Sequence, residues 1–312
     1  MKTVVGIGIF DGFHKGHQQI VKKIVDKAKR LKCKSVIFTF DPHPVNVHSG
    51  EKTVHLLYSL GKRVEFLKKA GVDQVHILNY TLAFAKQLPE EFVEKYFIKI
   101  ANACVVVAGE DMRFGRNNSA GIVELKEFGK KYGFEVETVK NINFENQRYS
   151  STIIRQLLND GEVEKASQYL GRDFELFSTV VHGFKNGRKI GYPTANLDIK
   201  NLDFIPKEGV YAGILTCENV SYPCAISVGI NYQFDAENKS VEAYVLGRGD
   251  LNFYDKQVGV KFIKYLRPMM KFDSLDGLLT QMEKDVCECA EILGVPKPDR
   301  IDPATVLPAS VI

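Results

Sequence analysis

Apolar residues in the first half of the chain follow two alternating patterns. Short continuous apolar runs, which are typical of buried strands, are separated by segments in which apolar residues recur at helical spacing. The predicted strands cover residues 4–9, 35–40, 74–78, 104–108 and 134–139. The predicted helices run through residues 20–31, 59–70, 89–100 and 123–132. This alternation predicts a parallel sheet with right-handed crossovers, in which ligands bind beyond the carboxyl ends of the strands.

The helical period largely stops between residues 171 and 177. Short runs rich in β-branched and aromatic residues follow, separated by turns of glycine, asparagine and proline, and such runs predict a small antiparallel barrel. They cover residues 178–182, 210–216, 225–228, 241–246 and 257–265. One long helix, 274–293, is expected to pack across the barrel, and the proline-containing tail after Gly294 is expected to be loose. We therefore predict an α/β domain at 1–172 and a β-barrel domain with a C-terminal helix at 173–312.

Composition and charge limit the kinds of partner. The chain has 312 residues, of which 26% are charged and 45% hydrophobic, an ordinary globular mixture. Its net charge of +4 is spread over helix faces, which does not demand nucleic acid but suits a small polyanion. We find no signal sequence or membrane span, and the six cysteines form no C-x-x-C pair. These features predict a cytoplasmic protein with reduced thiols and no membrane partner.

A glycine-rich stretch, GIFDGFHKGH at residues 8–17, joins the first strand to the first helix. Its glycines allow a tight turn, and the helix N-terminus presents free amides and a positive dipole to an anion. Two imidazoles, His14 and His17, bracket the same point, so a phosphate chain would fit there. On the residues alone, a tight turn that carries two surface histidines remains an alternative.

Three further motifs follow predicted strands or open a helix. FDPHP at residues 40–44 follows the second strand, and GEDMRFG at 109–115 follows the fourth. SSTIIR at 150–155 opens a helix that buries apolar side chains. Taken singly, the first motif is equally compatible with a rigid proline turn, and the last with an ordinary N-cap.

Together these motifs, in this order, resemble the bacterial bifunctional riboflavin kinase/FAD synthetase. The N-terminal FMN adenylyltransferase domain of that family carries G-x-F-D-G-x-H-x-G-H, F-D-P-H-P, G-x-D-F-x-F-G and S-S-T-x-I-R. Two departures, Ile9 where asparagine is commoner and Met112 where phenylalanine is usual, affect the packing near the ligand. The resemblance implies a Rossmann-like nucleotidyltransferase domain of the HxGH type.

The resemblance also implies roles for individual residues of this domain. His14 and His17 would contact the triphosphate of ATP and stabilise charge at the α-phosphorus, a contribution of roughly 2.7–4 kcal/mol per donor. The other residues expected to bind ATP are Gly8, Phe10, Asp11, Gly16, Ser151, Thr152 and Arg155. Those expected to bind the flavin are Pro42, His43, Pro44, Asp111 and Phe114.

A basic glycine-rich segment opens the second domain. Glycines recur every four residues at Gly183, Gly187 and Gly191, around Arg188, and GYPTANL follows directly. Such a loop lets backbone amides approach phosphate oxygens, although a β-hairpin turn is about as compatible with the composition. The hydroxyl of Thr194 and the amide oxygen of Asn196 are suitable Mg²⁺ ligands. The P-T-A-N motif resembles the riboflavin kinase signature of the same family, which implies that the glycines and Arg188 bind ATP.

Glu242 is the single acid in the otherwise apolar strand SVEAYVL at residues 240–246. An acid on the wet face of a strand commonly has no function, and that alternative stays open on the residues alone. The resemblance places Glu242 at the catalytic base, which would accept the proton of the ribityl hydroxyl as it attacks the γ-phosphate. It also places Arg267, in the L-R-P sequence, on the flavin side.

The sequence therefore predicts two successive reactions. The barrel would phosphorylate riboflavin to FMN with ATP and Mg²⁺, and the N-terminal domain would join AMP to FMN to give FAD and pyrophosphate. Residues 227–234 depart from the family pattern, so two alternatives remain: a monofunctional FMN adenylyltransferase with an inactive or regulatory barrel, and a flavin-binding protein. We expect riboflavin, FMN and ATP as partners of a monomer or weak homo-oligomer.

Overall fold

The chain forms two compact units, Met1–Ile153 and Ile154–Ile312. The structure is a computed structural model that describes residues 1–141, 143–144, 147–183, 186–230 and 239–306. Residues 231–234 of the segment that departs from the family pattern lie outside the described residues.

The first unit contains a five-stranded sheet in which every neighbouring pair of strands is parallel. The strands are β1 (Thr3–Ile7), β2 (Lys34–Asp41), β3 (Gln74–Asn79), β4 (Ala103–Gly109) and β5 (Glu135–Val139). Their order is β3-β2-β1-β4-β5, which confirms the predicted parallel architecture. The chain changes direction across the sheet between β1 and β4, and a ligand crevice is expected beyond the carboxyl ends of strands at such a point.

Helices connect these strands. They are α1 (Lys15–Arg30), α2 (Pro44–Ser49), α3 (Leu60–Lys69), α4 (Leu82–Ala85), α5 (Pro89–Phe92) and α6 (Ile122–Tyr132). The helix α5 continues as a π-helix, Val93–Ile100, and a small hairpin pairs β6 (Asn143–Phe144) with β7 (Gln147–Arg148). Short 3₁₀ turns occupy Asp11–Phe13 and Arg116–Asn118.

Apolar side chains cover both faces of this sheet. Val4 and Val105 belong to one buried cluster, which includes Ile24 of α1, whereas Val5 and Val106 belong to a second cluster on the other face. Residues adjacent along a strand point to opposite faces, so a strand buried on both sides reads as a continuous apolar run. The two-sided burial explains why the central strands β1 and β4 are almost continuously apolar.

The second unit contains a closed six-stranded barrel in which every neighbouring pair is antiparallel. Its strands are β8 (Phe174–Val181), β9 (Thr194–Leu197), β10 (Gly209–Cys217), β11 (Val220–Ile230), β12 (Lys239–Val245) and β13 (Gln257–Arg267). The sequence analysis identified five of these and missed β9. That strand has four residues and contains the polar P-T-A-N motif, so its own pattern is weak.

Helices precede, interrupt and follow the strands of the barrel. The helix α7 (Ser151–Asp160) begins where the sequence predicted, α8 (Val163–Leu170) contacts β8 and β13, and α9 (Asn186–Lys189) is a single turn. The predicted long helix is α10 (Leu275–Leu293), which contacts β10 and β11. Among the described residues, no helix has the length and apolar character needed to cross a membrane.

The tail after α10 differs from the expectation that it would be loose. A 3₁₀ turn forms at Pro303–Thr305, the side chain of Val306 is 8% exposed, and Ile301 packs on a buried cluster of the barrel unit. The prolines of this tail prevent a helix but not packing, which is why its composition misled the prediction. Residues 307–312 lie outside the described residues.

Candidate active sites

The turn between β1 and α1 carries the residues predicted to bind ATP. Phe10, Gly12 and Phe13 have φ angles of 55°, 74° and 43°, a region that is unfavourable for side chains other than glycine. Phe10 is 1% exposed, so surrounding packing holds the strained backbone in place. The amide of Gly8 donates to the carbonyl of Phe38 at 3.1 Å, which fixes the end of β1 against β2.

Asp11 is buried within this turn and holds a neighbouring loop. Its carboxylate accepts hydrogen bonds from the backbone amides of Leu57 (3.2 Å) and Tyr58 (3.3 Å), and the residue is 2% exposed. The Ser151 hydroxyl donates to the carbonyl of Asp11 at 2.8 Å. The first and last motifs predicted to bind ATP are therefore in direct contact.

His14 and His17 lie side by side at the start of α1. Their rings stack with centroids 3.7 Å apart, and Nδ1 of His14 accepts a hydrogen bond from the amide of His17 at 3.3 Å. A neutral His14 must then carry its proton on Nε2, which makes Nε2 a donor. A Cβ at Gly16 would stand 3.1 Å from the His14 ring, so glycine lets this ring lie close to the helix.

The protonation of His17 suits a hydrogen-bonding role. Burial of the ring, and then the nearby charges of His14 and Arg148, hold its pKa well below the ordinary value. The imidazole is therefore neutral near pH 7. Within the described part of the chain, Nδ1 of His17 is buried without a hydrogen-bond partner, although the residue as a whole is partly exposed. A buried polar atom of this kind is expected to meet a ligand or water.

The start of α7 contributes the S-S-T motif. The Ser150 hydroxyl accepts from the amide of Ile153 at 3.2 Å, which is the N-cap interaction that the sequence left open as an alternative. Thr152 is an exposed residue of the first helical turn. Arg155 lies three residues further along α7, within the second unit.

The F-D-P-H-P loop begins α2. Pro44 occupies the first turn of that helix, and Nδ1 of His43 caps it by accepting the amide of Val45 at 3.2 Å. Pro42, before them, is exposed and follows a cis peptide bond. The two prolines restrict the backbone, as the sequence predicted, and His43 adds a cap that the sequence analysis did not foresee.

Arg63, which sequence reasoning missed, ties this loop to the first motif. Its guanidinium donates to the carbonyl of Ile9 (2.9 Å), the carbonyl of Phe40 (3.3 Å) and the carboxylate of Asp41 (3.2 Å). The residue is 1% exposed and shares the buried face of α3 with Leu67, four residues on. Arg63 and the core residue Leu67 are four residues apart and therefore lie on one face of the helix. This spacing was the signal that could have revealed Arg63.

The loop after β4 contains the two other residues predicted to bind flavin. Asp111 forms an ion pair with Arg148 at 2.7 Å, and both side chains are about half exposed. Phe114 is 6% exposed and lies in the hydrophobic core near Phe92. The predicted contact of Phe114 with flavin stays a prediction, as does that of Asp111.

In the barrel, the predicted metal ligands and the predicted base come together. The Thr194 hydroxyl donates to Oε2 of Glu242 at 2.8 Å, and the Ser240 hydroxyl donates to Oε1 at 3.2 Å. Asn196 is the strand partner of Glu242 in the β9–β12 ladder, and its amide nitrogen is 3.4 Å from the Thr194 hydroxyl. Thr194 and Asn196 are two residues apart on one strand and therefore share its face.

Glycines shape the predicted nucleotide loop beside this cluster. A Cβ at Gly183 would stand 2.5 Å from the Asn196 amide, and one at Gly187 would stand 2.2 Å from the Tyr192 carbonyl, so neither position has room for a side chain. Arg188 lies over the ring of Tyr254, with its guanidinium carbon 5.5 Å from the centroid. The fourth predicted residue of the loop, Gly191, has a φ of 80°.

A cavity opens next to Glu242. Its walls are mainly apolar, formed by aliphatic, aromatic and thioether side chains, with a few polar groups, a composition typical of sites for organic ligands. The lining includes Tyr192, Thr194, Tyr244, Met269, Met270, Phe272, Met282 and Arg267.

Asp285, another residue that sequence reasoning missed, orients Arg267 at the edge of this cavity. The two side chains form a bidentate pair with distances of 2.8 and 2.6 Å, and Gln281 also donates to Asp285 at 2.9 Å. Asp285 is 5% exposed. It follows Met282 by three residues in the buried stripe of α10, and an acid at such a position was the available signal.

The fold and these sites define a parallel α/β unit with two stacked histidines at its first strand-to-helix turn, followed by a barrel with an acid beside a largely apolar cavity. Comparisons with known proteins specify the class further. A family model for FAD synthetase matches residues 1–153, and one for riboflavin kinase matches residues 170–293. A bifunctional riboflavin kinase/FMN adenylyltransferase of Listeria monocytogenes is 34% identical, with 91% of this chain and 90% of that protein covered.

Two further proteins are similar over nearly the whole chain. A protein of the same description from Haemophilus influenzae is 31% identical, with 90% of this chain and 91% of that protein covered. A crystal structure described as a macrolide-efflux protein from Streptococcus pneumoniae superposes with a TM-score of 0.81 at 33% identity, covering 91% and 92% of the two chains. The chain belongs to the family of bifunctional riboflavin kinase/FMN adenylyltransferases.

This membership confirms the resemblance, the fold class and the enzyme class predicted from the sequence. Both family regions are present in one chain, which favours the bifunctional enzyme over the monofunctional alternative. Riboflavin, FMN and ATP fit the two families as small-molecule substrates.

Proposed function

We propose that the barrel transfers the γ-phosphoryl group of ATP to riboflavin, and that the α/β domain then transfers AMP from a second ATP to the FMN produced. FAD and pyrophosphate are the final products. The observation that carries the proposal is the contact of Thr194 with Glu242, with Asn196 paired opposite, beside an aromatic cavity. We assign the second reaction to residues 1–172 and the first to residues 173–312.

Glu242 acts as the general base of the kinase. Its two oxygens accept one hydroxyl each from Thr194 and Ser240, and a carboxylate has about four acceptor positions, so capacity remains for the ribityl hydroxyl. As the ribityl oxygen attacks the γ-phosphorus, its proton moves to Glu242 and ADP leaves. Phosphoryl transfer depends mostly on positioning and charge stabilisation, and a positioned base adds roughly 10²- to 10⁴-fold.

Thr194 and Asn196 would hold Mg²⁺ in this site. Mg²⁺ is bound through few protein oxygens together with phosphate and water, and the adjacent hydroxyl and amide fit that requirement. When bound, the ion neutralises charge on the phosphates. Amides of the loop containing Gly183, Gly187 and Gly191, together with the Arg188 guanidinium, bind the nucleotide phosphates.

The cavity beside Glu242 binds the isoalloxazine ring of riboflavin. Its largely apolar walls, which include aromatic and thioether side chains, suit a flat, largely apolar ring system, and Arg267 lies at the edge, oriented by Asp285. A guanidinium whose rotamer is fixed loses less conformational entropy when it donates to the flavin.

In the α/β domain, the phosphate of FMN attacks the α-phosphorus of ATP. A phosphate monoester is largely ionised near pH 7, so this step requires no protein base. The imidazoles of His14 and His17 and the amides at the start of α1 donate hydrogen bonds to the α-phosphate oxygens as charge develops. Pyrophosphate leaves.

The remaining predicted residues complete the adenylyltransferase site. Those that bind ATP are Gly8, Phe10, Asp11, Gly16, Ser151, Thr152 and Arg155. Those that bind FMN are Pro42, His43, Pro44, Asp111 and Phe114. Asp11 and Ser151 also fix the turn, since their side chains bond to protein backbone. We also propose that the enzyme acts in the cytoplasm as a monomer or weak homo-oligomer, without nucleic acid or membrane partners.

A time course tests the proposal. Purified protein is incubated with riboflavin, ATP and Mg²⁺, and riboflavin, FMN and FAD are separated by chromatography, while a parallel reaction starts from FMN. We expect FMN to accumulate first and FAD to follow. Formation of FAD only from added FMN would refute the kinase assignment, and accumulation of FMN without FAD would refute the adenylyltransferase assignment.

A further inference from the structure

The chain beyond α10 returns to the barrel as an ordered segment. The riboflavin kinase family model ends at residue 293, so this part of the chain lies outside the region that defines the family. Asp302 caps the 3₁₀ turn by accepting the amide of Ala304 at 2.9 Å, and Val306 at its end is 8% exposed. We call residues 298–306 the C-terminal strap.

The strap lies directly against the kinase nucleotide loop, residues 186–192. Nε of Arg300 donates to the carbonyl of Ile190 at 3.0 Å, and its guanidinium carbon is 5.9 Å from the ring centroid of Tyr192. A Cβ at Gly191 would stand 2.3 Å from the carbonyl oxygen of Ile301, so the two backbones approach as closely as glycine permits. The strap and the loop therefore hold one another's backbone in place.

The strap also backs the wall of the flavin cavity. The side chain of Ile301 packs on a cluster that includes Tyr192, Tyr244 and Val286, and both tyrosines line the cavity with Glu242. On the turn after β12, a Cβ at Gly249 would stand 3.1 Å from Ile301. One apolar residue thus connects the strap to the nucleotide loop, to the cavity wall and to the neighbouring turn.

The loop is held from within by the single turn of α9 and by a few backbone hydrogen bonds, one of them from Ile190 to the carbonyl of Gly187 at 3.2 Å. Among its described backbone hydrogen bonds are those from Tyr192 to the carbonyl of Gly187 (2.8 Å) and from Gly191 to the carbonyl of Arg188 (3.3 Å). Glycine loses more conformational entropy than other residues when it is ordered, so this loop is costly to hold in one conformation. External contacts with Arg300 and Ile301 reduce the conformational freedom that ATP binding would otherwise have to remove.

We propose that the C-terminal strap positions the nucleotide loop of the kinase, with Arg300 and Ile301 as positioning residues that do not touch the substrates. The proposal rests on the proposed function, because it concerns how the kinase site binds ATP. Apparent affinity falls in proportion to the fraction of molecules in the binding-competent conformation. A loop that is competent about a tenth of the time without the strap would raise the kinase KM for ATP about tenfold.

Two truncations of the full-length enzyme test this. A stop after Gly294 removes the strap, whereas a stop after Val306 keeps it and serves as the matched control. We expect the shorter protein to show a kinase KM for ATP raised about tenfold, a kinase kcat changed less than about threefold, and an unchanged KM for ATP in FAD formation from FMN. Hydrogen exchange of a peptide covering residues 186–192 should be faster in the shorter protein alone.

Point variants keep the test decisive if the shorter protein does not fold. Ile301→Asp should raise the kinase KM for ATP, whereas the conservative variant Ile301→Val should keep it close to the wild-type value. Arg300→Gln should raise this KM less than Ile301→Asp does. An unchanged KM in Ile301→Asp, or an equal change in both reactions, would overturn the strap proposal. Absence of riboflavin phosphorylation by the intact protein would instead overturn the proposed function.

Discussion

The two candidate active sites are assembled in different ways. In the α/β domain, the two histidines predicted to contact ATP belong to one continuous stretch, residues 8–17, in which His14 and His17 stack just after a strained turn. In the barrel, Thr194 and Glu242 are 48 residues apart in sequence and meet because β9 pairs with β12. The first site depends on local backbone conformation, and the second on the register of a sheet.

This difference determines how each site should respond to substitution. A local turn has its geometry over-determined by burial, as with Phe10 and Asp11, so loss of one donor should remove that donor and little else. In the barrel, a one-residue slip of β9 would turn Thr194 and Asn196 to the other face and away from Glu242. Because the two reactions are assigned to different parts of the chain, each reaction serves as a control for the other.

Glu242→Gln should have the largest effect. The amide keeps the shape of the side chain but does not act as a base, so riboflavin phosphorylation should slow by about 10²- to 10⁴-fold. FAD formation from FMN should stay unchanged when both rates are measured in one preparation. Glu218→Gln, at an exposed ion pair of the barrel, is the matched control and should change neither rate. Loss of both activities in a folded Glu242 variant would contradict the assignment of two separate sites.

His17→Ala should have the converse and somewhat smaller effect. Removing one transition-state donor costs about 10²- to 10³-fold, so adenylylation of FMN should slow by that factor while riboflavin phosphorylation is preserved. Single-turnover rates from added FMN measure the change. A rise of the KM for ATP with normal turnover would show instead that His17 binds the ground state and not the transition state.

The fold could be predicted from the sequence because its main elements have strong patterns. Apolar runs buried on both faces predict the parallel sheet, and the stripe along α10 predicts the C-terminal helix. The strand β9 could not be predicted in this way, because it has four residues and is defined by its pairing with β8 and β12. Short elements of this kind depend on partners distant in sequence.

The site residues likewise fall into two groups, those that local motifs predict and those that only the folded structure reveals. Local motifs led to the prediction of His14, His17 and the P-T-A-N segment as site residues, because each motif lies within a few neighbouring positions. Arg63 and Asp285 were missed, since a charged residue on an amphipathic helix is normally assigned to solvent. Both are buried beside apolar neighbours and orient groups at a site, which becomes evident only when the helix is placed on its sheet.

Asp285→Asn tests one of these orienting residues and should have an intermediate effect. Asparagine fills the same space but loses the charge that holds Arg267, and hydrogen bonds to charged groups contribute about 1.5–3 kcal/mol. We expect the kinase KM for riboflavin to rise about tenfold or more while adenylylation of FMN is unchanged. Glu288→Gln, on the exposed side of the same helix, should leave both KM values unaltered. An unchanged KM for riboflavin in Asp285→Asn would show that the ion pair does not contribute to flavin binding.

The smallest predicted effect is the pH dependence of the stability of the α/β domain. The folded-state pKa of His17 is lowered by burial, then by His14 and Arg148, whereas in the unfolded chain it is about 6.5. As the pH falls below that value, the unfolded state binds the proton first, so the free energy of unfolding falls, by at most about 1.4 kcal/mol per pH unit. This loss ends once the pH is below the lowered pKa.

His17→Phe keeps an aromatic ring in place without the titration. The free energy of unfolding, measured with urea at about pH 7.5 and about pH 5.5, should differ less between the two pH values for this variant than for the wild type. Equal differences would assign the pH dependence to other groups. They would mean that His17 is protonated at about pH 5.5 in the folded protein as well as in the unfolded chain.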